Sequence, residues 1–123
     1  MSSTKAQFAF ALEYVSNIET AKRFAVDVLG LEIDREAPTF VQFKSGYAIT
    51  SDERMEPGLA GGPELWWLVE DADSAFGDMS AQADVSMPPR QMPFGTCFGI
   101  KDQAGQVHYV LEFARTRPSQ PVA

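Results

Sequence analysis

Glu64 and Trp66 stand two residues apart in the short apolar stretch Glu64–Val69. Side chains along a strand return to one face every second residue, so a strand here sets a carboxylate beside an indole. An aromatic face next to a carboxylate suits a flat, cationic ligand, held by charge, stacking and cation–π contact. The same Glu64 is a candidate general base, and otherwise a solvated strand end. Trp67, of the opposite parity, should face the other way, into a helix layer. The single histidine, His108, and the single cysteine, Cys97, fall on the two arms of one hairpin. They would form a thiolate–imidazole pair if both reached one sheet face. Failing that, a buried thiol packs as a small hydrophobe and a lone histidine is structural. Asp71 and Asp73 read as helix-start residues rather than a catalytic pair. No Gly-x-Ser-x-Gly, glycine-rich phosphate loop or Cys-x-x-Cys occurs.

The elements that must position these groups follow from periodicity. Gln7–Val15 alternates as a strand, with Phe8, Phe10, Leu12 and Tyr14 on one face. Ser16-Asn17 offers helix N-caps, and Glu19 suits the first turn. Ala21, Phe24, Ala25, Val28 and Leu29 recur at helical spacing and predict a buried face, with Gly30 as the stop. Leu31-Glu32-Ile33 opens a strand, and Thr39–Phe43 with Tyr47–Thr50 predicts a hairpin around Lys44-Ser45-Gly46. Residues 52–63, rich in Gly and Pro, form a connector. The pattern then restarts. Glu64–Val69 is a strand, Glu70–Asp73 caps a helix, and Ala75, Phe76 and Met79 form its apolar side. Pro88-Pro89 and Pro93 keep the next stretch out of regular helix. Phe94–Ile100 and Gln106–Phe113 form a second hairpin. Val15-Ser16-Asn17 and Val69-Glu70-Asp71 stand 54 positions apart, as do Phe40 and Phe94, which marks an internal repeat. The expected organisation is a single domain: module 7–51, connector 52–63, module 64–114 and a mobile tail 115–123.

The chain has 123 residues, 45% hydrophobic and 22% charged, a globular composition. Ten basic against 17 acidic side chains leave a net charge of −7. An acidic surface repels phosphate backbones and anionic lipid, so neither nucleic acid nor membrane is an expected partner. One cysteine excludes an internal disulfide. No apolar stretch is long enough for a bilayer and no signal peptide is evident at the start, so a cytoplasmic location is the expectation.

Three stretches together resemble the vicinal-oxygen-chelate superfamily of glyoxalase I, bleomycin-resistance proteins and extradiol dioxygenases. The first is Leu12–Asn17 with Ala21–Phe24 and Val28-Leu29-Gly30-Leu31; the second is Trp66–Asp71; the third is Pro93-Phe94-Gly95 with Ile100–Gly105, where Gln103 replaces the usual proline. The resemblance implies an α+β fold of two βαβββ modules forming a cleft over a curved sheet, commonly in a homodimer. Enzymes of the superfamily chelate a divalent metal through four His, Glu or Gln side chains. Carried over residue by residue, three of those positions fall on Phe10, Glu64 and Tyr109, and the fourth on Tyr47–Thr50, which holds no His or Glu. Only Glu64 could bind a metal strongly, so no metal and no other cofactor is expected. Phe10, Trp66 and Tyr109 fall at or beside the positions that line the superfamily's cleft. The resemblance thus implies a metal-independent, antibiotic-binding type of protein, with Phe10, Glu64, Trp66 and Tyr109 as ligand-binding residues. Two alternatives stay open: an enzyme (lyase, isomerase or dioxygenase type) with a non-standard site using Glu64, and a structural dimer whose cleft the aromatics fill.

Overall fold

The computed structural model describes residues 5–56 and 62–114; the expected tail 115–123 and residues 57–61 of the connector lie outside these. The chain divides into two compact units, one of Phe8–Trp66 and one built on Trp67 and the residues after it. Each follows a strand–helix–three-strand order, and together they make an α+β fold.

In the first unit, β1 (Gln7–Tyr14) is followed by α1 (Ile18–Arg23), β2 (Ile33–Ala37), β3 (Phe40–Phe43), β4 (Tyr47–Thr50) and the start of β5 (Glu64–Leu68). The strand order is β2-β3-β4-β1-β5, with β1 parallel to β4 and Leu12 opposite Ala48. Asn17 caps α1, its side chain accepting the Thr20 amide at 3.0 Å, as a short polar residue with extended backbone should. Val41, Phe43 and Ile49 alternate onto the helix side and pack with Ala25, Ile18, Ala21, Leu31 and Ile33. The opposite face of this unit's sheet is left to Phe10 and Leu12 of β1, Phe40 of β3, and Glu64 and Trp66 of β5.

The first helix departs from the expected pattern. After Arg23 it widens into a π-helical turn, Phe24–Val28, closed by the Leu29 amide to the Phe24 carbonyl at 3.2 Å. The extra residue rotates the remaining side chains off the 3.6-residue stripe. Ala25 is buried, but Phe24, Val28 and Leu29 are 54%, 66% and 53% exposed, against the expected buried face. Gly30 does end the helix: its φ of +73° is left-handed, and the Leu31 amide reaches back to the Ala25 carbonyl at 3.0 Å.

In the second unit, Asp71 caps α2 (Ala72–Ser80) with backbone angles of −141° and 104°, close to the −132° and 104° of Asn17. Val15 donates to Thr50 at 2.8 Å and Val69 donates to Leu111 at 3.0 Å, so the repeat extends to how each strand ends. Strands β7 (Gly95–Lys101) and β8 (Val107–Phe113) pair antiparallel, and β6 (Asp84–Met92) pairs with β7, giving the order β8-β7-β6. Strand β6 runs through Pro88-Pro89, which the sequence placed only outside helix. It sits at the end of the order, where a missing N–H is tolerated, and its register shifts between Met87 and Arg90. Val69, Ala75, Phe98 and Val110 form the core under α2, with Phe76 and Met79.

Candidate functional site

The hairpin register decides the fate of Cys97 and His108. Cys97 lies opposite Leu111 and His108 opposite Ile100, so the two side chains leave the ladder on opposite faces. The thiolate–imidazole pair is therefore not formed. Cys97 is 0% exposed, and burial pushes its thiol up to about 11, away from the reactive thiolate. His108 shares the face of the α2 core. Its Nδ1 accepts the Trp67 indole N–H at 3.0 Å, which leaves the other ring nitrogen, Nε2, to donate to Asp102 at 2.9 Å. Trp67 thus faces the helix side, but it is only half-buried, anchored by this bond rather than sealed in a core.

On the other side of the first unit's sheet, β1 and β5 bring Tyr14, Glu64 and Trp66 together. Glu64 opens β5 directly after Pro63, and its two-residue spacing from Trp66 puts the indole N–H 3.1 Å from Glu64 Oε1. The Tyr14 hydroxyl donates to the same oxygen at 2.8 Å. Glu64 Oε2 faces Arg54, whose nearest nitrogen is 3.7 Å away. The Arg54 guanidinium lies over the Tyr14 ring, 4.5 Å from its centre, and donates to the Gly62 carbonyl at 3.1 Å. Where β4 ends, the Thr50 hydroxyl donates to the Thr39 carbonyl at 2.7 Å and accepts the Asp52 amide at 3.1 Å. That turn starts the chain toward Arg54.

Beneath the carboxylate lies a ring cluster. Phe10 stacks on Trp66 with centres 5.7 Å apart, and meets Phe40 edge-on at 5.5 Å. Phe10, Trp66 and Glu64 are 6%, 3% and 8% exposed. Three of the four sequence-derived ligand-binding positions are therefore adjacent. The fourth, Tyr109, belongs to the second unit, where it is 1% exposed and its ring covers Gly99. Tyr14 and Arg54 carry the site as well and were not singled out for it. Tyr14 has a signal, since it shares the strand face of Phe10. Arg54 has none, because a loop arginine carries no periodicity.

Burial raises the Glu64 pKa above its ordinary 4.5; the hydrogen bonds from Tyr14 and Trp66 and the Arg54 charge oppose this, while Glu56 adds to it. The Tyr14 hydroxyl is also pushed well up, by burial first and then by the Glu64 charge. The Tyr14 shift keeps the phenol protonated as a donor, while the Glu64 shift makes its carboxylate hold a proton more readily than an ordinary glutamate.

The residues present do not fit a divalent metal. Glu64 meets a phenol O–H, an indole N–H and a guanidinium, which are donors and a cation already in the place of an ion. Phe10 has no donor atom. Among the described residues no three His, Cys, Asp or Glu side chains cluster for a metal.

No protein-family profile matches the sequence, and no curated protein is significantly similar to it. Solved structures are similar. The NAD-dependent benzaldehyde dehydrogenase from Legionella pneumophila is 26% identical, covering 85% of this chain and 98% of that one, with a TM-score of 0.72. A glyoxalase/bleomycin resistance protein/dioxygenase superfamily member from Vibrio splendidus 12B01 is 19% identical over 88% of this chain and 99% of its own, at a TM-score of 0.64. Homoprotocatechuate 2,3-dioxygenase from Brevibacterium fuscum, as its E323L mutant, is 19% identical over 89% of this chain but 33% of its own, at 0.58. The strand–helix–three-strand order in both units and these likenesses lead to one statement: the chain has the vicinal-oxygen-chelate fold, that of the glyoxalase/bleomycin resistance protein/dioxygenase superfamily.

Proposed function

We propose that the protein binds a flat, aromatic or cationic small molecule without a metal, in the manner of an antibiotic-sequestering protein, and does so as a homodimer. The observation that carries this is the buried Glu64, its carboxylate held by Tyr14 and Trp66 beside the Phe10–Phe40–Trp66 rings. Desolvating a carboxylate is costly, and fold stability alone is better served by an apolar residue there. A polar group kept inside an aromatic cluster is the usual make-up of a small-molecule site. The Legionella protein, similar in structure, carries in its name an aromatic aldehyde, a flat ring of the class proposed here. Tyr109 is proposed as a further ligand-binding residue.

The test is a titration with a panel of cationic aromatic antibiotics, followed by tryptophan fluorescence, in the presence of excess chelator. Saturable binding that survives the chelator and weakens at least tenfold in Glu64→Gln supports the reading. If no compound perturbs the emission, the rings are packing and the site is filled. An enzymatic reading is favoured by one observation, the raised Glu64 pKa beside Tyr14, which suits a general base. Deuterium uptake from solvent into small carbonyl compounds, catalysed by the wild type and lost in Glu64→Gln, would support that reading instead.

A further inference from the structure

Arg54 is placed unlike an ordinary surface ion pair. Its guanidinium carbon stands 4.5 Å over the Tyr14 ring, and its charge faces Glu64 Oε2 at 3.7 Å. It also donates to the Gly62 carbonyl at 3.1 Å. A π-face, a carboxylate and a carbonyl acceptor converging on one planar cation are the contacts by which a protein recognises a guanidinium or ammonium ligand. Here the cation comes from the protein's own chain. Tyr14 and Trp66 are meanwhile committed to Glu64 Oε1, so they fix the carboxylate and leave Oε2 turned toward the cation. Arg54 is the more exposed partner, with 24% of its side chain accessible against 11% for Glu64, so it lies on the solvent side of the carboxylate. Glu56 also acts on Glu64 by its charge, which adds to the negative potential that a cation beside Oε2 offsets.

We propose that Tyr14, Glu64 Oε2 and the Gly62 carbonyl form a subsite for an organic monocation, guanidinium or primary ammonium, in which Arg54 is the resident occupant and which a ligand enters by exchange with it. This rests on the ligand-binding reading above and deepens it by assigning the ligand's charged group to Glu64. Exchange keeps the carboxylate paired throughout, since a ligand's cation replaces the protein's own. It also imposes selectivity: a neutral or anionic compound of the same shape would leave Arg54 or Glu64 without its partner.

The experiment is chemical rescue. Arg54→Ala opens the subsite, and Arg54→Met does so while keeping the stem over Tyr14, should the alanine variant fold poorly. Each is titrated with ethylguanidinium, butylammonium and the uncharged ethylurea at constant ionic strength. Melting temperature and tryptophan emission are both read. We expect saturable rises in melting temperature with the two cations at millimolar concentration and none with ethylurea. The wild type should bind the cations at least tenfold more weakly, because Arg54 competes. Adding Glu64→Gln to either Arg54 variant should abolish the rescue. Absence of a saturable cation effect in both variants, or equal affinity in the wild type, overturns the proposal. The two readings separate cleanly. If cationic aromatic compounds bind the wild type through Glu64 and removing Arg54 does not tighten them, the site stands and exchange fails. If small cations rescue the variants and no aromatic compound binds any form, exchange stands and the broader function fails.

Discussion

Glu64 sets a measurable pH dependence. Its folded pKa lies above the ordinary 4.5, so the folded state holds the proton more tightly than the unfolded chain. Stability attributable to this group therefore falls as pH rises above about 4.5, and levels off once the folded value is passed. Glu64→Gln removes that slope. The melting temperature of the variant minus that of the wild type should increase from pH 4.5 toward neutrality; a difference flat across that range would show that the carboxylate is fully compensated. The two tryptophans give a second residue-scale outcome. Trp66, 3% exposed and stacked on Phe10, should cost roughly 3–5 kcal/mol of folding stability as Trp66→Ala. Half-buried Trp67 should cost less, losing mainly its bond to His108. Urea unfolding of both variants checks the order, which is the reverse of what strand parity suggested. Parity told which way each ring faces, and both face as expected. It could not tell that the Glu64 side is the better sealed one, because sealing depends on rings brought in from β1 and β3, remote in sequence.

At the scale of elements, the caps, the turns and the apolar side of α2 were legible, and the face of the first helix was not. Asn17 and Asp71 are short polar residues directly before apolar periodicity, and both accept the amide three residues on. Asn17→Ala and Asp71→Ala should each lower stability by about 1 kcal/mol, with Asp71 the larger if the Ser74 hydroxyl contact at 3.2 Å contributes. Thermal denaturation of the two single variants tests this. The π-helical turn escaped notice because Phe24, Val28 and Leu29 keep perfect α-helical spacing in sequence, and nothing local announces the inserted residue. Strand β6 escaped for the opposite reason: Pro88-Pro89 reads as a break, and only the end position in the strand order makes it tolerable. Gly95 adds a sharper constraint. Its φ is +150°, and a Cβ there would stand 2.1 Å from the Glu112 carbonyl oxygen, with no room to move because the contact is backbone on backbone. Gly95→Ala should therefore disrupt the β7–β8 pairing and lose more stability than either cap variant.

At the scale of the whole molecule, charge and assembly become the issue. The net charge of −7 places the buried carboxylate on an acidic protein. Cationic compounds should associate faster than anionic ones of equal size, and added salt should erase that advantage. Stopped-flow fluorescence with a matched pair of dyes at low and high salt reads this directly. The proposed self-association has a different basis. Phe24, Val28 and Leu29, turned outward by the π-helical turn, join Phe8, itself 50% exposed, as large apolar side chains on the first unit. Isolated exposed apolar residues are ordinary, but several of this size on one unit favour a covered surface. Among the described residues each unit's strand order also ends in a strand edge without a partner strand, β2 in the first and β6 in the second. Prolines blunt β6, while β2 (Ile33–Ala37) has none. A symmetric dimer through the first helix would cover Phe24, Val28 and Leu29 of both copies at once. Sedimentation equilibrium at micromolar concentration should then give about twice 13.5 kDa. Replacing Phe24 and Leu29 by Asp should shift the species to monomer without unfolding it, since both side chains are more than half exposed. A wild type that sediments only as monomer would remove the dimer from the proposed function and leave the Glu64 site to act within one chain.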